Sequence, residues 1–464
     1  MLPQTWTFAA FFLVVYPVHL LVRNTRLGKY WLLIASLAFY AWWRPEGEEW
    51  SPFHLYVLLY CTAVDYVAGL LMGRGRWKRA LLTVTVINHV GVLLYFKYAV
   101  FFTESLNAVL GGPGVAAVPV PDVTLPLGVS FYTFLAISYI VDVYRGDVDA
   151  ERHPVRFAAL VTFFPKLLAG PIERATTFLP RLRGKVHISV RQVTDGLSLF
   201  LVGFFKKRGL ADFLAIYVGK VYADPAGHNA LDLVLATFLF TWQIYFDFSG
   251  YTDMARGVAK MMGYDLMPNF NRPYLSASLT EFWRRWHISL STWFRDYVYI
   301  PLGGSRRSRP RVWGNLFVTL VISGLWHGAG WTWVLWGALH GAGLCGNKTL
   351  DGTEGWRRLP KPVRQAAVFL FVMLTWVFFR GGTWATASTV LSRMFTTPLT
   401  APLCPLAAVG LCVAVWAYEA GSESRWRSVL TCRPVRIALG LGMLVYLVFG
   451  ASGGVQPFIY GGKI

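Results

Sequence analysis

The residue best placed to do chemistry in this sequence is a histidine inside an apolar stretch. His327 lies in a glycine-rich segment, residues 324–330, between two uncharged runs at 315–323 and 331–336. Because an ionisable side chain within a membrane is energetically costly, we expect His327 to be functional. The small residues around it would let another backbone or a ligand approach closely. The alternative is a histidine that hydrogen-bonds between packed helices.

A second candidate, His287, lies in a stretch rich in polar and aromatic residues, 245–304. The spacing of these residues predicts a helix over 280–297. One face of that helix would carry Trp283, His287, Ser291 and Phe294. We therefore expect His287 to belong to a site and Trp283 and Ser291 to contribute to donor binding.

Three arginines of this stretch, Arg284, Arg285 and Arg295, have two interpretations. In one, the helix lies at the level of the lipid headgroups, where Trp and Arg hold it without any chemistry. In the other, it forms the wall of a cytoplasm-facing funnel in which the arginines bind the phosphate groups of a donor. Glu281 lies one turn before Arg285, a spacing that favours an ion pair.

Further polar or aromatic residues near the two histidines are assigned structural or cavity-lining roles: Asp247, Asp253, Asn269, Asn271 and Trp326. The two aspartates adjoin apolar sequence and would be costly if they faced lipid. We expect them to face a wet cavity or to pair with basic groups inside the protein. The two asparagines lie in a segment whose Asn and Pro content suits a loop or the start of a helix.

The composition indicates the elements that must position these residues. The chain is 55% hydrophobic and 15% charged, whereas soluble domains are about 25% charged. Its apolar runs predict an all-α integral membrane protein with roughly eleven crossings, together with re-entrant or interfacial helices. The predicted spans lie near 5–22, 30–43, 53–72, 80–102, 125–143, 194–205, 210–222, 231–247, 313–326, 331–346, 365–379, 402–418 and 436–452. Without internal repeats, residues 1–464 are predicted to form a single domain whose motif-rich core is about 125–345.

The net charge of +20 is explained mostly by topology and does not indicate nucleic acid as a partner. Lys and Arg cluster in short connections at 23–29, 74–79, 306–311, 357–364 and 425–436, and the loops at 44–52 and 103–124 are acidic. This alternation predicts basic loops in the cytoplasm and both termini outside, with the lipid bilayer as the main partner. The five cysteines have no metal-ligand spacing, so no metal site is predicted.

Four segments, 247–255, 269–274, 281–304 and 324–328, resemble the membrane-bound O-acyltransferases. The bacterial branch with the alginate O-acetyltransferase membrane subunit and the teichoic-acid D-alanyl transfer protein is the most similar, and segments 126–132, 142–146 and 163–172 agree with it. The resemblance implies a fold with funnels from both faces meeting at a thin centre. His327 matches the catalytic histidine of the family and His287 its second site histidine, whereas His340 is treated as structural.

The chemistry implied by this resemblance is acyl transfer from a thioester to an alcohol. His327 would act as the general base, because burial disfavours the imidazolium and leaves a nitrogen able to accept a proton. His287 would orient the thioester or hydrogen-bond to the developing oxyanion. The donor would be acetyl-CoA or an acylated carrier protein on the cytoplasmic side, with no bound cofactor.

The acceptor would be an exported polysaccharide, handled with a periplasmic acetyltransferase partner at the bacterial inner membrane. Carrier-protein-dependent D-alanylation of teichoic acid is a second hypothesis, and a transporter or flippase without chemistry is a third of a different class. The sequence departs from the alginate-type pattern at Lys166, where we expect glutamine, and at its end, where residues 461–464 replace an aromatic close. A relay of the acyl group through the Tyr460 hydroxyl is a further idea that the resemblance leaves open.

Overall fold

The computed structural model describes residues 2–42, 51–75, 77–111, 117–167 and 170–450. Within these ranges all regular secondary structure is helical, which confirms the predicted all-α fold. Two sequence predictions lie outside the described residues: the acidic cluster of Glu46, Glu48 and Glu49, and the C-terminal end with Tyr460.

The chain falls into two compact units. The first comprises Met1–Leu197 and Ala255–Met267, and the second comprises Ser198–Met254 and Pro268–Ile464. The single domain expected from the sequence stays a prediction, and each unit is described by itself.

The first unit contains the apolar N-terminal helices and a set of shorter ones. Its helices are α1 (Trp6–Val22), α2 (Leu27–Ala41), α3 (Phe53–Gly73), α4 (Lys78–Leu93), α5 (Ala99–Leu110), α6 (Val129–Arg145), α7 (Pro154–Thr162), α8 (Phe164–Leu167) and α9 (Ala175–Arg183). A π-helical turn over Leu94–Tyr98 joins α4 to α5, so that the helical run extends beyond the span predicted at 80–102. Helices α7 to α9 fall in none of the predicted spans.

The second unit contains both candidate histidines. The helices that lie in it wholly or in part are α10 (Val190–Phe204), α11 (Asp212–Ala223), α12 (Ala230–Met261), α13 (Leu279–Arg285), α14 (Ile288–Phe294), α15 (Arg309–His327), α16 (Trp331–Leu350), α17 (Glu354–Arg358), α18 (Lys361–Gly381), α19 (Trp384–Thr396), α20 (Leu406–Ser422), α21 (Arg427–Leu430) and α22 (Arg433–Phe449). Two π-helical segments, Phe205–Ala211 and Arg295–Tyr299, and two short 3₁₀ turns, Pro225–Gly227 and Pro273–Leu275, complete it.

Several of these helices are suited to a membrane. Among the described residues, four helical segments are long and apolar enough to cross one: Phe53–Gly73, Lys78–Leu110, Ala230–Met261 and Lys361–Gly381. Three shorter apolar helices, α1, α2 and α20, accompany them. The figure of roughly eleven crossings and the funnels stay predictions.

The two spans predicted at 194–205 and 210–222 form one helical run. Helices α10 and α11 are continuous through the π-helical segment Phe205–Ala211, so the expected interruption is wrong. No proline lies in this run, and Gly209 alone is not enough to end a helix. The π turn carries the basic residues Lys206, Lys207 and Arg208, which ion-pair with acidic side chains of the same unit.

Helices α15 and α16 pack together through glycines, and this contact places His327. A Cβ at Gly324 would meet the carbonyl oxygen of Trp333 and the backbone of Gly337, and a Cβ at Gly337 would meet the carbonyl oxygen of Leu320. Neither position has room for a side chain, which confirms that the small residues allow another backbone to approach. His327 is the last residue of α15, and the extended backbone at Gly328 then turns the chain into α16.

Candidate active site

His287 lies at a break between two short helices, which corrects the continuous helix expected over 280–297. Helix α13 ends at Arg285, Trp286 is extended, and α14 begins at Ile288. The backbone of His287 is left-handed, with φ 41° and ψ 56°. Because the helix is interrupted here, His287 does not share a helical face with Trp283 and Ser291.

The imidazole of His287 is buried among aromatic rings. It is 1% exposed, and its ring lies edge-on to Phe248 with centroids 4.6 Å apart. Neither ring nitrogen has a hydrogen-bond partner among the described residues. Burial lowers the pKa of His287 to about 3. The ring is therefore neutral at physiological pH, and one nitrogen can donate a hydrogen bond while the other accepts one.

His327 is 2% exposed and is surrounded by aromatic side chains from α15, α16 and α18. The centroid of its ring lies 5.2 Å from that of Trp336, in an edge-on arrangement, and 5.5 Å from that of Phe379. Trp333 stacks at 6.4 Å and packs in turn against Phe379. These rings exclude water from the imidazole, so a reaction at His327 would occur in a medium of low polarity.

The two histidines meet the same indole ring. The centroid of Trp326 lies 6.3 Å from that of His287 and 4.8 Å from that of His327. The structure thus brings together three of the residues predicted from sequence. Two buried imidazoles on one aromatic side chain can supply a proton acceptor and a hydrogen-bond donor to one reacting group.

His340, expected to be structural, has a hydrogen bond to another helix. Its Nε2 lies 3.0 Å from the Thr375 hydroxyl, and its ring packs against those of Trp336 and Trp283. These contacts are those of a packed histidine whose hydrogen bond links α16 to α18. The ring of Trp283 also contacts that of Trp336, and Trp336 contacts His327. Trp283 thus belongs to the aromatic residues around the site.

The predicted donor-binding arginines differ in how they are engaged. Arg285 forms ion pairs with Glu281, at 2.8 Å, and with Glu423, which confirms the expected pair one helical turn apart. Arg295 pairs with its neighbour Asp296 at 2.7 Å. Arg284 is exposed and forms no ion pair within the described ranges. Of the three, Arg284 is the most available to an external phosphate, and the role of all three stays a prediction.

Asp247 and Asp253 pair with basic groups, as expected from their apolar surroundings. Asp247 lies 2.6 Å from the ammonium nitrogen of Lys207, and Asp253 lies 2.7 Å from that of Lys206. Both carboxylates project from α12 and Asp247 precedes Phe248, which contacts His287. The ion pairs therefore hold the segment of α12 that forms one wall of the site.

The remaining predicted residues have local roles. The hydroxyl of Ser291 donates a hydrogen bond to the carbonyl oxygen of Trp286, and the backbone N–H of Asn271 donates one to the carbonyl oxygen of Arg285. Asn269 is 1% exposed and accepts hydrogen bonds at the start of α14. These contacts stabilise the break at His287, and the donor-binding role expected for Ser291 stays a prediction.

Sequence reasoning missed three aromatic residues of the site: Phe248, Trp336 and Phe379. Phe379 lies at the end of an apolar span, next to Arg380, and nothing in the sequence relates it to either histidine. Trp336 carried a usable signal, since it lies one turn before His340 on the same helix. Within the described residues, no group of three or more His, Cys, Asp or Glu side chains is arranged to hold a metal ion.

Comparison with known proteins gives a family model that covers this site. The model of the MBOAT, membrane-bound O-acyltransferase family, matches residues 146–386, which include both histidines, Trp326 and Asn269.

Individual relatives extend the similarity beyond that range. The chain is 43% identical to the probable alginate O-acetylase AlgI of Azotobacter vinelandii over 79% of this chain and 72% of the relative. It is 32% identical to the peptidoglycan O-acetyltransferase of Helicobacter pylori over 80% of this chain and 74% of the relative. The teichoic acid D-alanyltransferase of Streptococcus thermophilus is 28% identical over 55% of this chain and 68% of the relative.

Proposed function

We propose that this chain, which belongs to the membrane-bound O-acyltransferase family and is a multi-pass membrane protein, acetylates an exported polysaccharide. The acetyl group comes from a thioester on the cytoplasmic side. It passes to a hydroxyl of the polysaccharide, or of a periplasmic acetyltransferase partner that completes the transfer.

One observation carries this proposal: two buried histidines contact the same indole within the region matched by the family model. His287 and His327 are 1% and 2% exposed, and both rings lie against Trp326. Acyl transfer to an alcohol needs a base for the hydroxyl proton and a donor for the oxyanion. The arrangement offers one imidazole for each task.

In this mechanism His327 is the general base. An unprotonated ring nitrogen of His327 accepts the proton of the acceptor hydroxyl as the oxygen attacks the thioester carbonyl. The negative charge that develops on the carbonyl oxygen is stabilised by the N–H of neutral His287. The thiolate then leaves and takes the proton from the His327 imidazolium, so the base is regenerated. A base in this position contributes about 10²–10⁴-fold to the rate.

The proposed donor is acetyl-CoA, for two reasons. The relatives named as O-acetylases or O-acetyltransferases are 32–43% identical to this chain, whereas the D-alanyltransferase is 28% identical over a smaller share of it. Arg284 is exposed on the same short helix as Trp283, where a phosphate-bearing donor would find an unpaired guanidinium. An acylated carrier protein is the alternative donor.

The proposed acceptor and the proposed location are supported by the relatives and by the predicted topology. Relatives named for alginate and for peptidoglycan act on polymers rich in hydroxyl groups. The basic connections predicted to face the cytoplasm support a donor on that side. The proposed location is therefore the bacterial inner membrane, with the acceptor on its outer side.

The test uses the purified chain in nanodiscs. Release of free thiol would be measured with radiolabelled acetyl-CoA, and separately with an acetylated and a D-alanylated carrier protein, each with and without polysaccharide oligomers. Turnover with acetyl-CoA that rises with the oligomer supports the proposal. Turnover with the D-alanylated carrier alone would contradict it in favour of D-alanyl transfer. Transport of an oligomer without thiol release would favour a transporter.

Label retained on the protein would indicate a relay. Tyr460 lies outside the described residues, so the Tyr460→Phe variant is the direct check. Undiminished product and unchanged retained label in that variant would rule out its hydroxyl as the acyl carrier.

A further inference from the structure

The backbone of His287 adopts a conformation that a non-glycine residue rarely takes. Its φ of 41° places it in the left-handed region, and Trp77 and Arg272 are the other non-glycine residues with a positive φ in the described part of the chain. Such a conformation persists only when the surroundings determine it strongly, and it is frequent at functional sites. Something must therefore hold the chain in this turn.

The turn cannot be held by the histidine itself. His287 occupies the N-cap position of α14, where a side chain ordinarily accepts a hydrogen bond from an amide of the first turn. Its imidazole makes no such bond and lies against Phe248 instead. The first amides of α14 therefore need acceptors from elsewhere in the protein.

Asn269, eighteen residues before His287 in the sequence, supplies the acceptors for the first two backbone amides of α14. Its backbone carbonyl oxygen accepts from the amide of Ile288 at 2.9 Å, and its Oδ1 accepts from the amide of Ser289 at 3.1 Å. Its Nδ2 lies 3.5 Å from the Thr252 hydroxyl on α12. Asn269 thus acts as the cap of α14 while belonging to a different segment.

The same two segments are paired again just before the turn. The amide of Asn271 donates to the carbonyl oxygen of Arg285 at 2.9 Å. Residues 269–271 and 285–289 are therefore linked on both sides of His287. This double attachment turns the imidazole out of the helical path and towards the rings of Phe248 and Trp326.

We propose that Asn269 is a positioning residue for acyl transfer, because its carboxamide holds the left-handed turn that aims His287 at the reacting group. The proposal rests on the proposed function and goes beyond it, since it assigns a role to a side chain that acts through the backbone next to His287 and not on the reacting atoms. The competing interpretation is that Asn269 stabilises the fold in general, as any helix cap does.

Ser278→Ala provides the matched control. Ser278 is the N-cap of α13, and its hydroxyl accepts from the amide of Glu281 at 3.1 Å. Removing it deletes one capping hydrogen bond from the helix next to α14 and leaves the turn at His287 intact. We expect Asn269→Ala to lower kcat by up to about 100-fold with little change in KM, because a displacement of a catalytic group by about 1 Å can cause such a loss, and Ser278→Ala to leave kcat nearly unchanged.

A double variant separates positioning from general stability. If Asn269 acts through His287, then Asn269→Ala causes no further loss of kcat once His287→Ala is present. A full additional loss in that background would overturn the proposal. An equal loss of kcat in Ser278→Ala, or a loss expressed in KM alone, would overturn it as well.

A measurement without catalysis keeps this test separate from the proposed function. Carbethoxylation by diethyl pyrocarbonate modifies neutral, accessible imidazoles, and the extent at His287 can be followed by peptide mass spectrometry. In the full chain we expect His287 to be protected by burial and to react at least ten times faster in Asn269→Ala, but not in Ser278→Ala. Equal protection in all three proteins would refute the positioning role, even if no acyl transfer were detected in the native chain.

Discussion

Lys166 provides a quantitative test of how burial controls charge in the first unit. Its side chain is 6% exposed, its ammonium nitrogen lies 4.6 Å from the centre of the Phe178 ring, and it has no hydrogen-bond partner among the described residues. Burial lowers the pKa of Lys166 from 10.5 to about 7, and the charge of Glu173 opposes this effect. We expect Lys166→Met to stabilise the protein, because it removes an amine that is costly to bury.

The magnitude follows from that change in pKa. A fall from 10.5 to about 7 corresponds to about 5 kcal/mol, at about 1.4 kcal/mol per pKa unit. Below pH 7 the folded and unfolded chains both bind the proton, so the folded state carries the full cost. Between pH 7 and 10.5 only the unfolded chain keeps it, and the cost falls as the pH rises. The part of the stabilisation by Lys166→Met that comes from the charge is therefore about 5 kcal/mol at pH 6 and about 2 kcal/mol at pH 9.

The assay is reversible unfolding in mixed micelles at these two pH values. Any difference in packing between lysine and methionine is the same at both, so the change with pH isolates the charge. Lys185→Met, at an exposed lysine of the same unit, should show no such change. A stabilisation by Lys166→Met that is equal at pH 6 and pH 9 would refute the reasoning.

Three further substitutions test other parts of the second unit. Gly324→Ala should destabilise the protein by about 1–3 kcal/mol, because the added Cβ would meet the backbone of α16. Gly346→Ala is the control and should not destabilise it, because a Cβ there has no atom within 4 Å. Equal thermal unfolding midpoints for the two variants would contradict this expectation. Lys207→Met removes the buried ammonium that pairs with Asp247 and with Asp212, of which Asp212 is also paired with Arg208, and should cost about 3–5 kcal/mol in the free energy of unfolding; a cost of about 1 kcal/mol or less, as for an exposed ion pair, would argue against it. The pKa of His287 is about 3 in the folded protein, so below about pH 6.5 the unfolded chain binds a proton at this residue while the folded chain does not. The free energy of unfolding of the native chain should therefore fall by up to about 1.4 kcal/mol per pH unit between pH 6.5 and pH 3. His287→Gln should remove this part of the acid sensitivity, and an unchanged slope would speak against the neutral buried ring.

Much of the fold followed from the apolar pattern of the sequence. The helices over 331–350 and 361–381 contain the spans predicted at 331–346 and 365–379 from their apolar residues, which carry no Asp, Glu, Lys or Arg. The pairing of Asp247 and Asp253 with lysines also followed from the cost of burying a lone charge. The basic partners could not be chosen from sequence, because Lys206 and Lys207 lie in a π turn that merges two predicted spans.

The geometry of the site was less predictable. Trp286 and His287 are neither Gly nor Pro, so no local signal indicated that the helix is interrupted at these two residues. The break depends on Asn269, whose hydrogen bonds to α14 come from a separate segment. The importance of His287 and His327 could be recognised from residue type and surroundings, whereas their common contact with Trp326 depends on tertiary packing.

The most direct test of the account concerns His327. We would measure the rate of acyl transfer from the thioester in a single turnover for the native chain, for His327→Ala, and for His187→Ala at an exposed histidine, after checking that all three unfold at similar temperatures. If His327 is the general base, the rate falls by about 10²–10⁴-fold in His327→Ala alone. Equal rates in the three proteins would contradict the role of His327 as the base.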